Sequence, residues 1–517
     1  MLIKSVTLEN FRSYKDPVIV ELDKLTTFIG KNDIGKSTIL EALDIFFNEG
    51  NGIIKIDKED LNKDAKGNNE TEIVITVQFE DLPKEIIIDD SNKTSLKDEY
   101  LLDSNDCLTI VKKYNNGGKP KVFIKANHPT NPKCNNLLSL KQKDLQKEVD
   151  SLGLNCDKVK NAEMRKAIWD YYSKSLNLQE QDIESGIEGL KDIFSKLNQY
   201  FPLYSLFQSD RSNSDKDREA QDPMKEAVKI IMGTPEIKEE CNKIASKVTE
   251  ELQKVTKATL DKLQEMNSEI ASSLKANIPP IEELKWTDVF KTVSLSDNKG
   301  ILLNKKGSGV KRLVLLNFFR AEAEKIREAR NHPSVIYAIE EPETSQHIRH
   351  QEMLINSLKE LSKNENIQIL LTTHSSFVVK QVGFENLRLI ENDDKSGKKV
   401  NKVFPLILSY PSLSEINFVA FGDYSEGYHN ELYGYLQETK AEKELDDWFV
   451  QNNIQRTKEW KRDENRKMDT TLPTYIRNAI HHPENKINDP FTRDELKRSI
   501  DIMRQMVSKA LDINQKK

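Results

Sequence analysis

Polar and apolar residues interleave through the first ten positions, and two short apolar runs follow. Val18-Ile19-Val20 and Leu25-Thr26-Thr27-Phe28-Ile29 are β-rich and predict strands. From Lys36 the apolar positions Ile39, Leu40, Leu43, Phe46 and Phe47 recur at helical spacing. Further strands are predicted at 71–79 and 108–113, the second followed by a Gly117-Gly118 turn and a short run at 122–124. Residues 135–200 are polar, with Leu and Ile at helical intervals. After Pro235 the residues Ile237, Cys241, Ile244, Val248, Leu252 and Val255 follow in three- and four-residue steps, continuing to Leu274. That run is worth about five heptads and predicts a long helix or a coiled arm, with a surface helix packed on its own domain as the plain alternative. The Pro279-Pro280 pair ends it. Between the two helical stretches, 201–224 opens as a strand and continues as a charged loop. Beyond 280 the α/β pattern returns: a helix from Leu313, a strand at 335–339, a helix to Leu361 and a strand at 367–371. The remainder reads as a mostly helical tail. The fold class is α/β, one α/β domain split by a long helical insertion.

Composition narrows the picture. A chain of 517 residues exceeds one ordinary domain. Its net charge of -6 excludes a uniformly basic nucleic-acid binder and leaves room for a local basic groove. No stretch approaches the roughly 18 apolar residues of a membrane span, and the N-terminus lacks the apolar run of a signal peptide. The four cysteines (Cys107, Cys134, Cys156, Cys241) form no CxxC, so neither a zinc site nor a disulfide scaffold is implied. The expectation is a cytoplasmic, soluble protein with no membrane partner.

The first chemical signal is Gly30-Lys31-Asn32-Asp33-Ile34-Gly35-Lys36-Ser37, which fits GxxxxGK[ST] at every fixed position. It follows an apolar strand and opens an amphipathic helix, as the chemistry requires. Its glycines let backbone N–H groups curl around phosphates, and the helix N-terminus adds partial positive charge. Lys36 reaches the β- and γ-phosphates and Ser37 offers a hydroxyl to Mg²⁺. The cofactors expected are therefore ATP and Mg²⁺.

A second apolar strand ends in Glu340-Glu341-Pro342-Glu343. Glu340 is assigned to the metal shell and Glu341 to the attacking water. A third ends in Thr372-Thr373-His374-Ser375, where His374 can hydrogen-bond a γ-phosphate oxygen. Gly307-Ser308-Gly309 precedes a predicted helix and offers either a second phosphate-facing N-terminus or a flexible turn.

In this order the motifs resemble the ABC-type ATPases of the SMC/RecF and overcoming-lysogenization-defect (OLD) group. The likeness includes the opening Asn10-Phe11-Arg12-Ser13. It implies an ABC-type P-loop head interrupted by a helical or coiled-coil insertion, with a mostly helical C-terminal domain. The implied segments are an N-terminal lobe at 1–134, a helical insertion at 135–200, a Q-loop-like segment at 201–234, a long arm at 235–280, a C-terminal lobe at 281–400 and the tail at 401–517. It also implies that Arg12, Asn32 and Thr38 join the loop residues around the nucleotide, that Gln208 (or, second, Gln78) joins Ser37 and Glu340 at the metal, and that Glu341 is catalytic. Two heads would sandwich ATP, with Gly307, Ser308 and Gly309 of one reaching the phosphate held by the other. The chain departs from the group where Glu340 replaces the usual Asp and Gly307 replaces the signature serine. OLD proteins carry a TOPRIM nuclease, but here Ser425-Glu426-Gly427 lacks a strand before it and Asp446-Asp447 are adjacent rather than spaced. The nuclease reads as absent. The chain then resembles the ATPase subunits of anti-phage systems of the Septu and PARIS kind, which implies a homo-oligomer and a separate nuclease or toxin subunit.

The tail holds one further pattern. Arg477 and His482 resemble the Rx4–6H motif of HEPN ribonucleases, with His429 and Glu431 available to complete a site; a capped helix end or docking surface uses the same residues. The run 456–462 reads as a solvated helix face, or as a nucleic-acid contact in which Trp460 stacks on a base. A self-contained ATP-gated ribonuclease and a RecF-like DNA-repair ATPase thus stand as alternatives, with DNA or RNA as possible partners.

Overall fold

The computed structural model describes residues 1–49, 52–89, 92–187, 190–208, 228, 231–266, 314, 334–344, 347–393, 397–403, 408, 412–440 and 445–515. The N-terminal pattern becomes β1 (Leu2–Glu9), β2 (Val18–Glu21), β3 (Leu25–Ile29) and, after the glycine-rich loop, helix α1 (Lys36–Asn48). The chain divides into two compact units, 1–25 with 37–371 and 26–36 with 372–517.

In the first unit, β4 (Glu72–Glu80) is followed by a hairpin of β5 (Ile86–Asp89) and β6 (Asn92–Thr94), then by β7 (Leu108–Asn115), β8 (Lys121–Pro129) and β9 (Leu178–Glu184). An antiparallel sheet runs β2-β1-β4-β7-β8-β9. On β4 the buried Ile73, Ile75, Val77 and Phe79 alternate with half-exposed neighbours, the two-residue period of a strand with one face in a core. Strand β9 is a departure from the sequence pattern, because it lies in the polar stretch 135–200 that reads as helical. It sits at the sheet edge, and its acids pair with lysines of β7 and β8: Asp182 with Lys113 at 3.5 Å and Glu180 with Lys125 at 3.6 Å. A charged edge protects against further strand pairing and erases the apolar alternation that would have announced it.

The same unit places β10 (Leu203–Phe207), β11 (Val335–Glu340) and β12 (Ile367–Thr372) side by side. β10 and β11 are parallel, with Phe207 opposite Ile339. Every residue of β11 and β12 is buried, which explains their mostly apolar runs. The helix Pro235–Met266 is continuous over 32 residues. From Ile237 to Val255 the apolar steps run 4, 3, 4, 4 and 3, so Ile237 recurs as Val248 and Ile244 as Val255, each eleven residues on. The flanking charges repeat likewise: Lys243 pairs with Glu239 and Glu240, and Lys254 with Glu250 and Glu251.

In the second unit β3 lies beside β13 (Leu387–Asp393), which lies beside β14 (Gly397–Lys402). The tail has its own core, in which Tyr428, Leu432, Phe449, Trp460, Ile476 and Ile500 meet. It joins the helices Leu413–Phe421, Glu426–Lys440, Leu445–Gln451, Leu472–His481 and Arg493–Gln515 to a hairpin of β15 (Arg456–Lys461) and β16 (Lys467–Thr471). The run from Arg456 is therefore a strand and not a helix face. Trp460 is buried against Tyr475, with ring centroids 5.7 Å apart, and so is not available to stack on a base. No helix among the described residues is long and apolar enough to cross a membrane.

His429 is buried in this core, its Nε2 2.9 Å from Ser499 Oγ, and burial lowers its pKa from 6.5 to about 4. The unfolded tail binds that proton more readily than the folded one, so acid favours unfolding. As pH falls from 6.5 to 4, roughly 3 kcal/mol of stability is expected to be lost through this group, with no further loss below. Denaturant midpoints read from tail tryptophan fluorescence should show the slope in wild type, and a flatter one in His429→Gln. An equal slope in both would assign the acid sensitivity elsewhere.

Candidate functional site

In the second unit the chain leaves β3 and turns through the glycine-rich loop. Gly30 has φ +147 and Gly35 φ +102, conformations that favour glycine, and Asp33 between them is held at φ +58. A Cβ on Gly30 would come within 2.7 Å of the Ile390 carbonyl oxygen, so no larger residue fits. Lys36 is buried, and its ammonium donates to the carbonyls of Gly30 at 2.9 Å and Lys31 at 2.8 Å. Those contacts curl the lysine over its own loop, where phosphate oxygens would compete for the same N–H groups. Asn32 is exposed on the loop. The Thr373 N–H donates to the Phe28 carbonyl at 3.2 Å, which sets the half-buried His374 one residue beyond, alongside the strand that feeds the loop.

In the first unit the strand ends carry the acids. Because Phe207 and Ile339 are paired neighbours, the next residues, Gln208 and Glu340, leave adjacent parallel strands side by side at their carboxyl ends. That is where open α/β sheets bind ligands. Glu340 is 5% exposed. Ser37 and Thr38 are half-buried at the start of α1. Ser37, Gln208 and Glu340 offer a hydroxyl, an amide and a carboxylate, the hard oxygen donors that suit Mg²⁺. Glu341 follows with φ +41, a left-handed conformation costly for a side chain of its size. Its turn is closed by Thr344, whose N–H reaches the Glu341 carbonyl at 3.0 Å and whose hydroxyl donates to Oε2 at 3.3 Å.

Motif reading passes over the residue that ties this half together. Glu41, fully buried on α1, accepts from Arg12 Nη1 and from Gln208 Nε2 at 3.2 Å. Arg12, itself at φ +49, also donates from Nε to Asp60 at 2.8 Å. Burial works against its charge, but the two carboxylates hold the Arg12 pKa above its ordinary value. The signal was present in the sequence as an acid within the apolar run Ile39-Leu40-Glu41-Ala42-Leu43. Tyr204 on β10 completes the frame by donating its hydroxyl to the Leu40 carbonyl at 2.6 Å and stacking on Phe47. Gln78, the second glutamine considered, belongs to the antiparallel sheet, where its amide donates to Asp103 at 2.7 Å.

Gly307, Ser308 and Gly309 lie outside the described residues. In the tail, Arg477 and His482 sit at one helix end with different partners. Arg477 bonds Asn478 at 3.1 Å and lies over the Tyr433 ring, while His482 faces outward to Glu484 at 3.1 Å. The expected helpers do not join them: His429 is buried on Ser499, and Glu431 accepts from Ser412 and, at 2.9 Å, from Ser414. Glu426 opens a helix, and Asp446 and Asp447 both pair with Arg456.

Residues 1–379 match the AAA ATPase domain family. Endonuclease GajA of Bacillus cereus (strain HuB5-5) is 24% identical over 423 residues, covering 73% of this chain and 55% of that protein, so the chain spans about half the length of this relative. Among solved structures, an Smc head bound to the C-terminal winged-helix domain of ScpA is 15% identical over 78% of this chain and 98% of its own, with a TM-score of 0.36. The SMC head domain from Thermotoga maritima is 14% identical over 78% and 100%, with a TM-score of 0.32. With the family match covering well over half its length, the chain belongs to the AAA ATPase domain family, and it is an ATPase.

Proposed function

We propose that this ATPase binds ATP with Mg²⁺, assembles with a second copy through its ATP-binding heads, and controls a separate nuclease or toxin in anti-phage defence. The observation that carries the reading is that the phosphate loop, 26–36, and the tail, 372–517, belong to one compact unit. A change at the nucleotide would be felt directly by the module that follows the ATPase domain. The likeness to a protein named as an endonuclease supports a nucleic-acid-directed pathway. Glu426 opens a helix, which supports a reading in which the effector chemistry belongs to a partner. Lys36 would bind the phosphates, Ser37, Gln208 and Glu340 would hold the metal, Glu341 would take the proton from the attacking water, and His374 would contact the γ-phosphate.

Light scattering of wild type, Glu341→Gln and Lys36→Ala, each with and without ATP and Mg²⁺, tests the assembly. The expected result is a larger species with ATP that persists in Glu341→Gln and is missing in Lys36→Ala. One mass for all three proteins in every condition would overturn nucleotide-driven assembly. RNA cleavage by the purified chain, lost in His482→Ala, would instead favour the ribonuclease reading.

A further inference from the structure

The hairpin of β13 and β14 belongs to no nucleotide-binding motif, yet it touches the phosphate loop at two points. β13 runs parallel to β3, with Leu389 opposite Ile29, so its next residue arrives where the loop begins. There the Ile390 carbonyl abuts Gly30 closely enough to exclude any Cβ. On the other arm Lys398 pairs in register with Asn392. Its ammonium donates to the carbonyl of Ile34, inside the loop, and reaches Asn392 Oδ1 at 3.4 Å. Ile34 is itself buried, so this carbonyl has little access to water. Burial lowers the Lys398 pKa from its ordinary value, a sign that the amine has left bulk solvent to make the contact.

A trans peptide is planar, and its C=O and N–H point in opposite directions. A cation that fixes the Ile34 carbonyl on one side therefore fixes the Gly35 N–H on the other. Gly35 opens the Gly35-Lys36-Ser37 stretch whose N–H groups form the anion-binding end of α1. At φ +102 this glycine has wide backbone freedom, and without a tether its peptide could turn over.

We propose that Lys398 is a positioning residue for ATP: by holding the Ile34–Gly35 peptide, it keeps the phosphate loop in its anion-binding form. It acts from the far side of the loop and touches no phosphate. The proposal rests on the ATPase reading of the loop, and it adds a contribution from beyond residue 379, where the family match ends.

The test is the affinity for a fluorescent ATP analogue, with KM and kcat for ATP hydrolysis, in wild type, Lys398→Met, Lys398→Arg and Lys399→Met. Lys399 is the control, since it lies on the same strand and pairs with Asp393 away from the loop. Loss of one charge-assisted hydrogen bond is expected to weaken nucleotide binding roughly 10- to 100-fold in Lys398→Met. KM should rise with little change in kcat, Lys398→Arg should recover most of the affinity, and Lys399→Met should match wild type. Wild-type affinity in Lys398→Met would overturn the proposal. An equal loss in Lys399→Met would do the same, by assigning the effect to the fold of the hairpin. No binding by wild type would remove the ATPase reading, and this proposal with it.

Discussion

Glu341→Gln is expected to slow ATP hydrolysis by roughly 10²- to 10⁴-fold while leaving nucleotide binding in place, the range over which a positioned general base contributes. The substitution keeps the size of the side chain and removes its ability to take a proton. The phosphate loop and Lys36 keep their own residues, so nucleotide binding is expected to persist. Thr344 donates to Glu341 Oε2, and an amide oxygen can accept the same bond, so the turn can persist. Steady-state phosphate release measured beside nucleotide affinity separates the two effects. Hydrolysis at the wild-type rate would show that another group activates the water. Loss of binding along with hydrolysis would show that the turn itself had collapsed.

Arg165→Leu is expected to cost about 3–5 kcal/mol of stability, the range for leaving one member of a buried ion pair unpartnered. Arg165 and Glu99 are each 1% exposed and face each other as a fork, Nε to Oε2 at 2.7 Å and Nη2 to Oε1 at 2.9 Å. Thr94 adds a hydroxyl donor to Oε1 at 2.8 Å. The pair clamps the helix Asn161–Tyr171 to the turn that follows β6, beside Trp169, whose indole donates to the Cys134 carbonyl. Removing the guanidinium strands a carboxylate in a site that water does not reach. Denaturant unfolding of Arg165→Leu and of the double replacement Glu99→Leu/Arg165→Met checks the cause. The double variant should recover most of the loss, because burying two apolar groups carries no such penalty. A double variant as unstable as the single one would mean that packing, not charge, dominates.

Legibility followed the physical origin of each signal. The phosphate loop and the acid strand could be read directly, because phosphate binding fixes residue types at fixed spacing, and a strand buried on both faces is apolar along most of its length, as in Val335–Glu340, where only the terminal Glu340 is charged. β9 and β15 could not be read. The first is a charged edge strand, and the second buries only Trp460 among six residues, so neither shows an apolar period. Glu41 and Lys398 were missed for another reason. Their roles lie in reaching a partner far along the chain, from Glu41 to Gln208 and from Lys398 to Ile34, and no local spacing encodes such a contact.

The eleven-residue spacing on the helix Pro235–Met266 has a mechanical consequence. Eleven residues over three turns is about 3.67 per turn, slightly more than the 3.6 of a straight helix, whereas heptads demand 3.5. A neighbour following this seam would run almost straight beside it, with a faint right-handed drift in place of a left-handed wrap. The element is about 48 Å long at 1.5 Å per residue. It would behave as a rod, carrying a tilt from one end to the other with little of the motion taken up as winding or unwinding.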